Sequence, residues 1–233
     1  MIDFLSGAPY FGVVLTLAMF GVAYLLNRLW PAPLTTPLFL ATIFVISVLL
    51  VTGIDYKSYN AGAQYLTYFL VPVTVCFAVP MYKQLPLLRR HAFSILFAVL
   101  IGVICSVLSV IFICILFGLG DVVARSLVSI SVTTAIAIGI TEQLGGVVAL
   151  TVSSVIVTGI LGASVSEFVC RKIGLTNPMA RGLAIGNASH AAGTTAAMRM
   201  GAVEGGLSSL AIVLSGIFTA IVAPLAIWLF FFN

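Results

Sequence analysis

The sequence predicts an all-α, polytopic integral membrane protein with about six transmembrane helices and two re-entrant hairpins. Hydrophobic residues make up 62% of the 233-residue chain and charged residues 7%, whereas an ordinary soluble domain has about 25% charged residues. So few charges could not cover a soluble surface. Two late segments are rich in small and polar residues, which separates them from the simple apolar spans.

Six apolar segments are near the length of about 20 residues that a helix needs to cross the hydrocarbon core. They cover residues 9–27, 36–53, 62–82, 92–117, 147–169 and 207–231. The third is rich in Tyr and is broken by Pro72 and Pro80. We expect residues 1–91 to form scaffold or oligomerisation helices, and residues 92–233 to form an inverted-repeat domain that carries the transported solute.

Two further segments have polar centres, over residues 121–146 and 177–206. The first is centred on Ser131–Thr134 and the second on residues 186–195. An unsatisfied polar group facing lipid is strongly unfavourable, so these centres must be buried in protein or line a wet cavity. We predict that each segment enters the membrane and returns to the same face. If both cross completely, the chain has eight spans instead.

A displacement of 56 residues aligns the chain with itself. Six residues between Cys114 and Leu127 then coincide with identical residues between Cys170 and Leu183. Each repeat unit holds one span followed by one polar-centred segment, which gives units over 92–146 and 147–206 before the final span.

Cationic residues predict the orientation, because cytoplasmic loops carry an excess of Lys and Arg. Lys83, Arg89 and Arg90 place the loop before residue 92 in the cytoplasm, so both termini are predicted outside. Arg171 and Lys172 also reach the cytoplasm if 121–146 is re-entrant. The two units are then inverted, as in many secondary transporters.

The two polar centres are predicted to meet and bind a small organic anion. Hydroxyl and amide groups donate hydrogen bonds to a carboxylate, and small residues let the backbone approach closely. The candidate binding residues are Ser131, Thr133, Thr134, Asn187, Ser189, His190, Gly193, Thr194 and Arg181.

Each of these features also has a simpler interpretation. Small polar runs can be packing seams between helices, and His190 can be a satisfied interior side chain. Arg125 and Arg181 can be interfacial anchors, and Glu204 is expected at the membrane surface. The cysteine spacing matches no metal site, so we expect no metal, no cofactor and no catalytic residue.

The late motifs resemble the LrgB/CidB (YohK-like) family of membrane proteins. The similarity covers most of the chain and is densest from about residue 121. It is carried by Ser131-Val132-Thr133-Thr134, Glu142-Gln143-Leu144-Gly145-Gly146, Ala180-Arg181-Gly182-Leu183-Ala184-Ile185-Gly186, Ala188-Ser189-His190-Ala191 with Gly193-Thr194, and Glu204-Gly205 with Ser208-Ser209-Leu210-Ala211.

The resemblance implies a secondary transporter of small monocarboxylates such as glycolate, glycerate, lactate or pyruvate, proton-linked and working by alternating access. The alternative is an antiholin- or holin-like membrane protein that controls murein hydrolase activity and autolysis. Either is non-enzymatic and lies in the bacterial cytoplasmic (inner) membrane. The expected partners are the lipid bilayer, an LrgA/CidA-type small membrane protein and a second copy in a homodimer. Nucleic acid is not expected, because the cations are scattered.

The chain departs from the family pattern at two cationic positions. The family has Pro-Lys before its Ser-Val-Thr-Thr motif, where Ser129-Ile130 stands here. It also has an arginine after Gly-Thr-Ala, where Ala196 follows Gly193-Thr194-Thr195.

Overall fold

The structure, a computed structural model, describes residues 9–30, 36–69, 72 and 75–231. Across these residues it is helical and contains no β-strand. The helices are α1 (Phe11–Leu29), α2 (Pro37–Thr52), α3 (Tyr56–Thr67), α4 (Ala78–Lys83), α5 (Leu85–Arg90), α6 (Ala92–Leu116), α7 (Gly120–Leu127), α8 (Thr134–Leu144), α9 (Val148–Lys172), α10 (Pro178–Met200) and α11 (Ala202–Phe231).

Four helices are long and apolar enough to cross a membrane, namely α1, α6, α9 and α11. The chain is therefore a multi-pass membrane protein. Within the predicted third span over 62–82, which Pro72 and Pro80 interrupt, α3 ends at Thr67 and α4 begins at Ala78. With 12 and 6 residues, neither helix is long enough to span alone. Pro72 lies between them, and proline disfavours a continuous helix.

Two compact units make up the chain, Met1–Cys76 and Phe77–Asn233. In the first, α1 and α3 approach so closely that a Cβ on Gly12 would lie 2.1 Å from the Tyr59 carbonyl oxygen. In the second, α4 packs on α11, where a Cβ on Gly206 would lie 2.8 Å from the Pro80 carbonyl oxygen.

Helices α6 and α9 have the same length of 25 residues, and their bounds differ by the 56-residue displacement seen in the sequence. They also end in the same way. The backbone N–H of Leu119 donates to the Cys114 carbonyl, and that of Leu175 donates to the Cys170 carbonyl, both at 2.9 Å. Gly118 and Gly174 precede these residues with φ of 62° and 70°, the left-handed conformation that commonly ends a helix.

Helices α7 and α8 fold back on each other and form the first hairpin, with its turn over residues 128–133. At the open end, Arg125 Nη1 donates to the Leu144 carbonyl at 3.4 Å. Nearby, the Val147 backbone N–H donates to Ser126 Oγ at 2.7 Å. The last residues of α7 therefore lie beside the end of α8, and the chain over 128–133 returns along α8 to its start at Thr134.

Helix α10 is a second hairpin, because its backbone breaks at His190 with φ 41° and ψ −136°. A Cβ on Gly193 would lie 3.0 Å from Cγ2 of Ile185. A straight helix would separate residues eight apart by about 12 Å along its axis. The half before His190 therefore packs beside the half after it.

Helix α11 packs in parallel with the first half of α10 over a seam of glycines. A Cβ on Gly182 would lie 2.5 Å from the Glu204 carbonyl oxygen, and one on Gly186 would lie 2.4 Å from the Ser208 carbonyl oxygen. The other face of α11 joins α6 in the largest buried cluster, to which α6 contributes residues at four-residue intervals: Ile95, Val99, Val103, Val107 and Ile111.

Candidate functional site

The turns of both hairpins contact the middle of α9. Val132, from the first turn, packs with Val155. From the second turn, Ser189 covers Gly162 and His190 covers Gly159, where added Cβ atoms would lie 1.8 Å and 2.5 Å from these side chains. The two polar centres predicted from the sequence are thus brought to the same stretch of α9.

His190 is 7% exposed, and its Nε2 lies 3.1 Å from the Val155 carbonyl oxygen. A carbonyl oxygen only accepts, so this bond requires the imidazole to carry a proton on Nε2. Its φ of 41° is the one positive φ among the described non-glycine residues. This side chain therefore anchors the second turn to α9.

The strained backbone at residue 190 predicts an unusual order of stability for two variants. His190→Ala and His190→Gly both lose the bond to Val155, but only glycine adopts a positive φ without strain. We expect His190→Gly to be more stable than His190→Ala by about 1 kcal/mol, against the usual helical preference for alanine. Thermal unfolding in detergent measures the difference, and an alanine variant that is the more stable would contradict it.

Thr194 and Gly193 make contacts within the second hairpin and, through Thr194, with α11. Thr194 is fully buried, and its hydroxyl donates to the His190 carbonyl at 3.0 Å and lies 2.7 Å from Ser208 Oγ. Gly193 packs against Ile185 and Ser189. These contacts fit the packing-seam interpretation of this segment.

The first turn contributes Ser131, Thr133 and Thr134. Thr133 is the N-cap residue just before α8. Its backbone is extended, and its carbonyl accepts from the Ala137 N–H at 2.9 Å. The side chains of Thr133 and Thr134 are half-buried. Ser131 is 3% exposed, and its buried Oγ has no hydrogen-bond partner.

A groove of about 710 Å³ lies between α6 and the first half of α10. Two of the nine predicted site residues, Ser131 and Asn187, belong to its lining. Asn187 is held in place because Ser215 Oγ donates to its Oδ1. The full lining consists of Ser94, Ala98, Ile101, Gly102, Cys105, Ser106, Ser109, Ile130, Ser131, Thr158, Asn177, Met179, Ala180, Leu183, Ala184, Asn187 and Ala188.

The groove lining is uncharged: hydroxyl, amide and thiol groups supply its polar surface. The predicted cation of the site, Arg181, is not part of this lining. A carboxylate in the groove would thus meet hydrogen-bond donors but no lining counter-charge.

Arg181 instead closes the base of the second hairpin. Its Nη2 lies 3.0 Å from Glu204 Oε1 and donates to the Thr176 carbonyl at 3.3 Å. Glu204 is 5% exposed, so its carboxylate is buried in the protein against Arg181 and is not open to solvent. Burial follows from its place in the first turn of α11, beside Gly182 and Gly201. Sequence reasoning missed this pair, although both residues lie in the family motifs.

Arg125 occupies the repeat position equivalent to Arg181 and acts at the base of the first hairpin. Its Nη2 donates to Asp121 Oδ2 at 2.6 Å, and Nη1 reaches Leu144 as described above. Both arginines therefore hold hairpin ends together, a role that neither the anion-ligand nor the lipid-anchor interpretation included.

The model of the LrgB-like family matches residues 16–229. This chain belongs to the LrgB-like family. It is 36% identical over 218 residues to the antiholin-like protein LrgB of Bacillus cereus (strain B4264). The aligned region covers 93% of this chain and 95% of that relative. The antiholin-like protein LrgB of Bacillus anthracis (strain CDC 684 / NRRL 3495) matches equally well. No solved structure matches significantly.

Membership of the LrgB-like family confirms the resemblance seen in the sequence. The main functional prediction, a secondary transporter of small monocarboxylates, is wrong on this comparison, because the relatives are named antiholin-like proteins. The alternative given with it agrees with those names. The transporter prediction assumed that the polar hairpin turns form a solute site. In the structure, the His190 side chain bonds the Val155 carbonyl and the Thr194 hydroxyl bonds the His190 carbonyl.

Proposed function

We propose that this LrgB-like chain is an antiholin-like membrane protein that restrains murein hydrolase activity and autolysis. The observation that carries the proposal is the 36% identity to antiholin-like LrgB proteins over nearly their whole length. The protein is non-enzymatic in this role. It acts in the bacterial cytoplasmic membrane together with an LrgA-type small membrane protein.

The distribution of charge supports one membrane orientation of the second unit. Its eight Lys and Arg residues include seven near one end, where α6 begins, α9 ends, and α10 and α11 begin: Lys83, Arg89, Arg90, Arg171, Lys172, Arg181 and Arg199. Arg125 lies near the other end with Asp121 and Glu142. By the positive-inside rule, the cation-rich end faces the cytoplasm and the end of α11 lies outside.

The same orientation makes the two hairpins re-entrant from opposite faces. The first hairpin follows the end of α6 and the second follows the end of α9. Ser94, near the start of α6, and Asn177, just before α10, line one groove, which supports an antiparallel arrangement of α6 and α9. Helices α6, α9 and α11 then cross the membrane, with an inverted repeat over 92–146 and 147–206.

Loss of this protein is expected to accelerate autolysis in its native host. Cells lacking the gene should lyse faster in a dilute-detergent assay and show stronger bands of murein hydrolase activity in gels containing cell wall. A plasmid copy should restore the wild-type rate. Unchanged lysis and unchanged hydrolase bands in the deletion strain would contradict the antiholin-like function.

A further inference from the structure

A small cavity of about 180 Å³ lies where α10 ends and α11 begins. Helix α11 has 30 residues, which gives it a length of about 45 Å, as long as a bilayer with its headgroup regions. The first turn of α11 therefore lies at the level of the headgroups. The end of α4 forms the other wall, and the lining includes Val79, Lys83, Gln84, Met198, Gly201 and Ala202.

The side chains on the α4 side of this cavity carry positive charge. Lys83 lines the cavity and is exposed. Arg89 and Arg90 follow at the end of α5 and are exposed as well. The sequence has no Asp or Glu between residues 56 and 120. The Lys83 ammonium therefore attracts an anionic group into the cavity.

Apolar side chains accompany this cation. Val79 lines the cavity and is 57% exposed, and Tyr82 beside Lys83 is 73% exposed. Tyrosine is enriched where the hydrocarbon core meets the headgroups, and the stem of a lysine can lie along an apolar surface while its ammonium stays at the interface. A phospholipid presents phosphate and hydrocarbon in one molecule, whereas a soluble anion would gain nothing from the exposed valine.

The other wall of the cavity leads directly to the base of the second hairpin. Gln84 Nε2, on the α4 side, donates to the Ala202 carbonyl at 3.4 Å. Glu204, in the same first turn of α11, lies beside Gly201 and pairs with Arg181 at 3.0 Å. This carboxylate already has its counter-ion, so its charge does not oppose an anion in the cavity.

We propose that the cavity binds the phosphate of an anionic phospholipid, with Lys83 as the counter-ion. Basic pockets between membrane helices on the cytoplasmic side bind such headgroups, and this end of the second unit carries seven of its eight Lys and Arg residues. The bound lipid bridges α4 and the first turn of α11 and so holds the base of the second hairpin closed. This site is independent of the antiholin-like function, because it requires only an anionic membrane.

Native mass spectrometry of the purified full-length chain tests the site. The protein is mixed with equal amounts of phosphatidylglycerol and phosphatidylcholine that carry the same acyl chains. We expect phosphatidylglycerol adducts to exceed phosphatidylcholine adducts by about fivefold, the effect of one cation near an anionic headgroup. Lys83→Gln should remove most of this preference. Lys172→Gln is the matched control, because Lys172 is exposed at the end of α9 and lies outside the cavity lining.

Ala202→Leu tests whether the lipid enters the cavity or rests on the charged surface. Ala202 lines the cavity and is exposed, so leucine fills the space without removing a charge, and the preference should again be lost. Ala220→Leu adds the same carbons at an exposed position of α11 outside the lining and should leave the preference unchanged. All four variants should keep the wild-type melting temperature in detergent without added lipid.

Hydrogen exchange in nanodiscs measures the effect on the hairpin. The backbone amides of residues 198–206 should exchange more slowly in phosphatidylglycerol than in phosphatidylcholine, because the bound lipid fastens the junction between α10 and α11. The amides of residues 121–146, in the first hairpin, should exchange equally in both lipids. Equal exchange of residues 198–206 in the two lipids would contradict the closing role.

Several results would overturn the lipid site. They are equal binding of the two lipids, equal losses in Lys83→Gln and Lys172→Gln, or an undiminished preference in Ala202→Leu. Displacement of phosphatidylglycerol by inorganic phosphate would assign the cavity to a soluble anion instead. The autolysis assay is separate from these measurements: a deletion strain that lyses at the wild-type rate removes the antiholin-like function and leaves the lipid result as it stands.

Discussion

Glu204→Gln is expected to lower the free energy of unfolding by roughly 3 kcal/mol. The substitution keeps the size of the side chain but removes the charge that faces Arg181 at 3.0 Å. Glu204 is buried, and the Arg181 guanidinium is only partly exposed, so the remaining positive charge is poorly solvated. Chemical or thermal unfolding in detergent measures the loss.

Glu167→Gln is the matched control for this pair. Glu167 bonds Arg171 at 2.8 Å, but both side chains are largely exposed. Exposed ion pairs contribute about 0–1 kcal/mol, so the same substitution should have little effect here. Equal losses for the two variants would show that burial of the Arg181–Glu204 pair has no special role in closing the second hairpin.

Gly186→Ala is expected to destabilise the second hairpin by about 2 kcal/mol or more. The new Cβ would lie 2.4 Å from the Ser208 carbonyl oxygen and 2.8 Å from its Cα. Those are backbone atoms of α11, so a side-chain rotation cannot relieve the clash. The helix pair must separate, which also weakens the contact between Asn187 and Ser215.

Gly139→Ala provides a control of opposite sign. Gly139 lies within α8, and an added Cβ would meet nothing within 4 Å. Alanine is favoured over glycine in a helix interior by about 1 kcal/mol, so this variant should be slightly more stable than the wild type. If both alanine variants change stability in the same direction, close packing at Gly186 is not the cause.

The long helices were predictable because an apolar segment of this length in a bilayer must satisfy its own backbone hydrogen bonds, which a helix does. Helices α6, α9 and α11 cover most of the predicted spans over 92–117, 147–169 and 207–231. Pro72 and Pro80 indicated an interruption within 62–82, because proline disfavours a continuous helix. Among the described residues of this range, α3 ends at Thr67 and α4 begins at Ala78.

The candidate site was predictable in part. The polar centres at Ser131–Thr134 and residues 186–195 suggested two turns, and contacts within each hairpin support that reading of their local shape. The partners of individual side chains were not predictable. His190 bonds a carbonyl 35 residues earlier in the chain, and Ser215 bonds Asn187 from 28 residues later. Such pairings depend on how separate helices align.

Hydropathy and repetition are properties of neighbouring residues, so the class of this protein, its long helices and its 56-residue internal repeat can be predicted from the amino-acid sequence. The order and spacing of its motifs also indicate the LrgB-like family. The helix packing alone shows that Glu204 is buried against Arg181 and that Ser131 and Asn187 line one uncharged groove. Burial and hydrogen bonding depend on the side chains that other helices bring near, and glycine seams set how closely those helices approach.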